Sequence, residues 1–443
     1  MQDGPSQPAP GEGAVAGRFR SAPLRPEVLG ELHARPFEPL STPRRVYHFA
    51  FLTGEAEARA DRKAICDLAR SLGQPPPAPD AKFYRLELPR WRLRWEQHSE
   101  FTTYSWDAPG KTGAPFGESD ASELPDEVMS RQPGDLLVAV ELRLIRRPKA
   151  SVDLEGLFDP ASLCVIDAVG DAARVAADFK VDAQGFTRIL VENKRLSDLD
   201  AGVLAQRVLE METYRTLALL GVPAARQAGP VVRRIETELA ELTRDISRAE
   251  DVQTNHRLLM HLTDLAAELE ALAAETSFRF GACHAYRAIV KSRLRVIGEA
   301  DVDGHPTFST FFARRLDPAM ATCEAVDLRQ DKLSLKLTRT AQLIRTRIQF
   351  ELEEQNRGLL RSMNRRAQMQ LRLQQTVEGL SVAAISYYVV GLVSYLAKGA
   401  KDLGAPVSPS LVAAASVPVV ALGVWWIVRR VRKRFARKDA GHD

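Results

Sequence analysis

The chain has 443 residues, a net charge of +4 and a hydrophobic fraction of 45%, values that are typical of a globular protein with two or three domains. A net charge so close to neutrality does not support nucleic-acid binding, and the four cysteines include no CxxC pair of the kind that holds zinc. We expect these cysteines to be free thiols in a reducing compartment.

Segment 1–20 is rich in Pro, Gly and Ala and contains no apolar stretch as long as that of a signal peptide. We expect it to be a disordered tail. Because no signal peptide is recognised, the domain that follows is expected to remain in the cytoplasm.

Residues 21–195 are predicted to form a mixed α/β domain in the cytoplasm. A helix is expected from Glu55 to Leu72, where Gly73 and a run of prolines end it. Runs of β-branched and aromatic residues predict seven strands. These strands are Val46–Thr53, Phe83–Leu88, Trp91–Gln97, Leu136–Ile145, Leu163–Val169, Arg174–Val181 and Arg188–Glu192.

Residues 196–376 have apolar residues at helical spacing and are predicted to form long helical hairpins. Ser197 is expected to cap a helix that ends at Leu220. Pro230 is expected to open a longer helix, and a further helix is predicted over Phe278–Ile297.

The last helix of this region is predicted to continue into the membrane. After a compact connector at Glu299–Pro318, the pattern from Leu333 to Ala397 contains no proline over 65 residues, which is about 100 Å of helix. Its apolar row needs partner helices, from this chain or from copies of it.

Residues 377–428 are predicted to form a transmembrane hairpin with spans at 377–397 and 411–428. Leu380–Leu396 and Leu411–Val428 contain no charged residue over 17 and 18 positions. Those lengths are near the minimum needed to cross about 30 Å of hydrocarbon.

Basic residues flank both spans, whereas the short loop between the spans carries few. By the positive-inside rule, both termini are expected in the cytoplasm of a multi-pass protein. The arginines before the first span are Arg361, Arg365, Arg366 and Arg372. The basic tail 429–443 is expected to contact anionic lipid headgroups. Its first basic residues are Arg429, Arg430, Arg432, Lys433 and Arg434.

Two segments contain candidate residues for binding a ligand or a partner. His33 and Arg35 precede the first strand, where a following proline holds the chain extended; the alternative is a loop that only packs. Glu96, His98 and Glu100 alternate, and on one strand they would share a face. Such a set suits a divalent metal or acid–base chemistry, but we favour a solvated or ion-paired face and assign no metal site.

Known catalytic motifs are missing from the sequence: no glycine-rich phosphate loop, no GxSxG and no HExxH occurs. We therefore expect a protein that is not an enzyme and needs no cofactor.

Four long segments give the chain a resemblance to the bacterial, membrane-anchored family known as domain of unknown function 3422. They are ELHARPF at 31–37, WEQHSEFTTYSW at 95–106, FFARRLDPAMATC at 311–323 and EEQNRGLLRSMNRRAQMQLRLQQTVEGLSVAAISYYVVGL at 353–392. The resemblance implies a bacterial inner-membrane protein and brings no known activity.

The order of these parts also resembles the layout of the CorA-type magnesium channels. That resemblance implies an α+β protein with a cytoplasmic domain, long helical hairpins and a C-terminal transmembrane hairpin. It further implies a homo-oligomer, a pentamer in that family, and an ion pathway. The Gly-Met-Asn of that family is replaced here by Tyr395, Leu396 and Ala397. The polar residues that would line the pathway are Ser386, Tyr387, Tyr388, Ser394 and Tyr395.

A different class of function remains open at this point. A membrane-anchored scaffold or interaction protein, without transport, would need the same hairpin as an anchor and the same α/β domain as a binding module.

Overall fold

The computed structural model describes most of the chain. The residues described are 22, 24, 25, 37–79, 81–110, 115, 116, 124, 128, 132, 134–148, 152–249, 251–402 and 408–439, with only the backbone given for 431–439.

Nine strands in this part of the chain form one sheet. They are β1 Arg44–Leu52, β2 Phe83–Glu87, β3 Arg92–Gln97, β4 Phe101–Pro109, β5 Asp135–Arg146, β6 Cys164–Ala168, β7 Ala173–Val181, β8 Thr187–Asn193 and β9 Ala300–Asp301. Their spatial order is β2-β3-β4-β1-β5-β8-β7-β6-β9. Neighbouring strands are antiparallel, except for the parallel pair of β5 and β8.

Helices lie between and after these strands. They are α1 Glu55–Ser71, α2 Leu154–Leu157, α3 Asp198–Leu219, α4 Gly221–Arg248, α5 Val252–Ile297, α6 Phe308–Asp402 and α7 Pro409–Asp439.

The alternation along β1 shows why the sheet has two packed faces. Tyr47, Phe49 and Phe51 join an aromatic cluster that includes residues of α1. Val46 and Ala50, which point the other way, join the larger core formed with α3, α4, α5 and the beginning of α6. Burying a large apolar side chain contributes about 1.5–3 kcal/mol, so a one-residue slip of β1 would reverse both faces at high cost.

All seven predicted strands are present, with ends within two residues of those expected, whereas β4 and β9 were not predicted. The segment from Trp95 to Trp106 is a hairpin rather than one strand. The backbone N–H of His98 donates to the carbonyl of Phe101 at 2.9 Å and closes the turn. Glu96, His98 and Glu100 therefore do not share the face of a single strand, because β3 ends at Gln97, where the predicted strand also ended. A turn without Gly or Pro gave no signal in the sequence.

The start of α3 confirms the predicted cap, since the backbone N–H of Asp200 donates to Ser197 Oγ at 3.2 Å. Pro230, by contrast, does not open a helix but lies inside α4. The residues before it include Ala225 and Ala228, which are buried in the large core. This packing offsets the hydrogen bond that a proline within a helix loses.

Two helices are longer than predicted. α5 is continuous over a region where two helices were expected, and α6 begins 25 residues before Leu333 (333 − 308 = 25). Thr307 caps α6, because the backbone N–H of Thr310 donates to its Oγ1 at 3.1 Å. Phe308 and Phe312 are then buried in the large core, which explains why this part of the expected connector is helical.

The chain divides into two compact units: residues 1–247 with 260–340, and residues 248–259 with 341–443. The first unit contains the sheet with its two cores. The second contains the remainder of α6, which has no break before Asp402, and α7.

Two helices are long and apolar enough to cross a membrane. The most apolar windows of α6 and of Pro409–Arg430 have mean hydropathies of 1.7 and 2.2. Only 6% and 0% of these windows are buried within the chain. By length and composition, this pair matches the predicted spans.

Candidate functional site

The turn between β3 and β4 carries the three polar residues that the sequence singled out. Glu96, at the end of β3, lies with an oxygen 3.7 Å from His98 Nε2 and accepts a hydrogen bond from Arg94 Nε at 2.9 Å. Burial alone would raise the pKa of Glu96. The neighbouring His98 and the charge of Arg94 outweigh burial and lower the pKa to about 2. Glu96 is thus ion-paired with Arg94 and lies, largely buried, beside His98.

Glu100 points to a different set of partners. Arg279 of α5 lies 2.9 Å from Glu100 Oε2, and the hydroxyl of Tyr286 donates to Glu100 Oε1. Burial, followed by this hydrogen bond, raises the pKa of Tyr286. Glu100 therefore ties the turn to α5 and does not complete a site with His98. Within the described residues, no group of three His, Cys, Asp or Glu side chains could hold a metal ion.

Aromatic rings surround His98. The imidazole stacks on Phe101, with ring centroids 4.1 Å apart and an interplanar angle of 10°. Tyr214 of α3 meets Phe101 edge-on at 5.9 Å, and Tyr286 of α5 lies 5.5 Å from Tyr214. These rings give the end of the sheet a continuous aromatic surface.

A cavity of about 610 Å³ opens onto this surface, and we call it the turn cavity. It lies at the end of the sheet, between the first turns of α1 and the aromatic residues of α3 and α5. Its lining residues are Gly54, Glu55, Ala58, Arg59, Arg62, Lys82, Gln97, His98, Ser99, Phe101, Tyr214, Tyr286 and Ile289.

A second polar group is buried beneath α3, and the sequence gave no prediction of it. His48 of β1 lies between Ser105 Oγ, 2.8 Å from its Nδ1, and Thr213 Oγ1, 2.9 Å from its Nε2. Burial is the main cause that lowers the pKa of His48 to about 4, so the ring is neutral at pH 7. A histidine amid the apolar residues of a strand is the only signal the sequence offered. Its partner Thr213 is separated from it by 165 positions in the chain.

Next to His48, a chain of hydrogen bonds connects the sheet to two helices. Arg94 Nη1 donates to Gln206 Oε1 at 2.8 Å, and Gln206 Nε2 donates to Glu210 Oε1 at 2.8 Å. Arg293 of α5 then pairs with Glu210. The space left beside this chain is about 50 Å³, which suits ordered water better than a ligand.

Several predicted site residues lie outside what the structure describes. His33 and Arg35 are not among the described residues, and the side chains of Arg432, Lys433 and Arg434 are not described either. The guanidinium groups of Arg429 and Arg430 each lie 4.9 Å from the ring centre of a tryptophan in the second apolar window.

The five residues predicted to line an ion pathway all lie on α6. Tyr387, Tyr388 and Tyr395 are exposed, whereas Ser386 and Ser394 are partly exposed. At 3.6 residues per turn, Tyr387 and Ser394 share one row of the helix, and Tyr388 and Tyr395 share the next. Together these rows form a polar band on the otherwise apolar window of α6.

A comparison with protein families gives one match: the model described as "Protein of unknown function (DUF3422)" covers residues 20–435. No curated protein and no solved structure matches the chain.

Proposed function

The chain belongs to the family of domain of unknown function 3422, and we propose that it is an integral membrane protein whose α6 and α7 cross a bilayer as a hairpin. The observation that carries this proposal is the exposure of the two apolar windows, of which 6% and 0% are buried. Apolar helix surface on this scale is unfavourable in water and favourable in hydrocarbon.

The charges around the hairpin support one orientation. Arg361, Arg365, Arg366 and Arg372 precede the first span, and the tail that begins at Arg429 follows the second. The positive-inside rule then places both termini on the cytoplasmic side, in the inner membrane of a bacterium. The basic tail would contact anionic lipid headgroups at about 1 kcal/mol per near-surface charge.

The same chain has a reason to associate with copies of itself. In the second unit, the α6 row Leu352, Leu359 and Met363 is 47%, 62% and 64% exposed. Copies inserted in one membrane hold their α6 helices parallel and at equal height, so equivalent rows can meet as in a coiled coil. We therefore propose a homo-oligomer with a CorA-like layout, in which α6 faces its copies.

Association can be tested by light scattering of the purified protein in detergent. The double variant Leu359→Glu/Met363→Glu should have a lower oligomeric state than the wild type. Gln368→Glu adds a charge on the opposite face of the same helix and should leave the oligomeric state unchanged. A wild-type protein that is strictly monomeric would remove the proposed assembly.

Around the axis of such an assembly, the polar band of α6 would line an ion pathway. Flux into liposomes that contain the full chain tests this part. Tyr387→Leu and Ser394→Leu, which lie on one row, should lower the flux. Ile385→Leu, on the opposite side of the helix, should not. If no common cation or anion moves faster than in empty vesicles, the protein does not form an ion pathway.

A membrane-anchored interaction protein is the second candidate. It is favoured by one observation: Tyr395, Leu396 and Ala397 stand where CorA-type channels carry Gly-Met-Asn. In this case the hairpin is an anchor and the α/β unit binds a cytoplasmic partner. A monomer by light scattering, together with absent flux, would favour this candidate.

A further inference from the structure

The turn cavity has the size and lining of a small-molecule site. Ligand pockets have volumes of about 300–1,000 Å³, and they combine apolar or aromatic walls with a few polar groups. The turn cavity measures about 610 Å³. Phe101, Tyr214, Tyr286 and Ile289 supply an apolar wall on the side of α3 and α5.

The opposite wall is basic. Arg59, Arg62 and Lys82 line it, and Glu55 is the one carboxylate among the described lining residues. Arg62 is held in place because its Nη1 donates to the carbonyl of Ala81 at 2.6 Å. The positive charge of Arg62 is therefore fixed at the wall.

Arg59 is available to an incoming anion at low cost. Its ion pair with Glu55 has an N–O distance of 3.6 Å, and the two side chains are 73% and 94% exposed. Exposed ion pairs of this kind contribute little, so a ligand anion can replace the carboxylate.

We propose that the turn cavity binds a small organic anion that carries a planar ring, of the class that includes nucleoside monophosphates and aryl carboxylates. The ring lies against Tyr214 and Ile289, which are partly exposed in the cavity wall, and the anionic group faces Arg59 and Arg62. The aromatic wall would pack against the planar ring of the ligand, and the basic wall would pair with its anionic group. One ligand would therefore use both walls. The proposal is independent of the membrane function above.

Equilibrium dialysis of the full chain in detergent tests the proposal with AMP and benzoate as probes. Ribose 5-phosphate, which lacks a planar ring, and adenosine, which lacks the charge, are the matched comparisons. At least one of AMP and benzoate should bind, and which of them binds distinguishes the phosphate source from the carboxylate source. If AMP binds, adenosine and ribose 5-phosphate should each bind more weakly than AMP.

Variants locate the binding. Arg59→Ala should weaken it by about two- to fivefold, as expected for one exposed charge. Ser99→Trp, at the exposed turn, should fill the cavity and abolish binding. Arg70→Ala removes an exposed arginine at the other end of α1 and should have no effect.

Three results would overturn the proposal. They are no retention of either AMP or benzoate at millimolar concentration, adenosine binding as tightly as AMP, and binding that Ser99→Trp leaves intact in a variant with wild-type thermal stability.

Discussion

A close approach of two side chains to a helix backbone lies in the large core at Gly221, the first residue of α4. A Cβ added at this position would lie 2.7 Å from Cys283 Sγ and 3.2 Å from Cys323 Sγ. Both sulfur atoms belong to buried residues, of which 1% is exposed in each case. Gly221→Ala therefore forces a methyl group between α5 and α6, where neither sulfur has open space to enter.

The expected loss of stability follows from two opposing terms. Overpacking a well-packed core costs about 1–3 kcal/mol. Replacing Gly by Ala in a helix gains up to about 1 kcal/mol, and less at a first helical residue. We therefore expect Gly221→Ala to lower the free energy of unfolding by about 1–2 kcal/mol. That change corresponds to a fall of roughly 1.5–3 °C in the thermal midpoint for a unit of this size.

Thermal unfolding of the full chain in detergent, followed by intrinsic fluorescence, measures this shift. Gly281→Ala is the matched control, because nothing lies within 4 Å of a Cβ added there in α5. It should leave the midpoint unchanged or raise it. The double variant Gly221→Ala/Cys283→Ala should recover part of the loss, since removing the sulfur makes room for the methyl group. A Gly221→Ala midpoint at or above the wild-type value, or strict additivity in the double variant, would refute this account of the contact.

Three further changes test the first unit, each by its unfolding midpoint. His48 has a pKa of about 4 when folded against 6.5 when unfolded, so its share of stability is complete above pH 6.5 and is lost as the pH falls to 4. His48→Gln should remove up to about 3 kcal/mol of that pH dependence, and an unchanged profile would contradict the assignment. Asp61→Ala leaves the buried donors of Trp95 and Tyr104 without their acceptor and should cost about 2–5 kcal/mol, whereas a loss below 1 kcal/mol would show that water replaces the carboxylate. Ser197→Ala should cost about 1 kcal/mol through the lost cap of α3, and Ser197→Asp should restore it.

The strands were predictable because their side chains alternate. Along β1 the period of two separates Tyr47 and Phe49 from Val46, and each set meets its own core. The end of β3 at Gln97 was predicted, but β4 was not, because the turn at His98 has no residue that demands a special backbone conformation and so signals a hairpin. The alternation of inward- and outward-facing side chains can be read from a strand's own residues. A turn without Gly, Pro or Asn is instead fixed by the pairing of the two strands that it joins.

The helix ends illustrate the same limit. Ser197 acts within one turn of chain, so the start of α3 was predictable. Pro230 is a local signal for a boundary, yet the burial of Ala225 and Ala228 in the large core overrides it. The polar partners of His48 were equally inaccessible, because the hydrogen bond to Thr213 joins a strand to a helix that lies 165 residues away.

The pKa values around the turn bear on the acid–base chemistry that the sequence suggested. A general base works best with a pKa near the ambient pH. With a pKa of about 2, Glu96 is ionised at pH 7 but binds protons too weakly to take one from a substrate. His48, with a pKa of about 4, is neutral and held between two hydroxyl groups, Ser105 and Thr213. Neither Glu96 nor His48 lines the turn cavity, and their buried partners keep their protonation states fixed through the neutral range, so neither can act as a general base on a ligand bound there. We therefore expect the turn cavity to bind its ligand without converting it. Chromatography of AMP or benzoate after prolonged incubation with the protein should recover the probe unchanged, and any conversion that Ser99→Trp abolishes would contradict this reasoning.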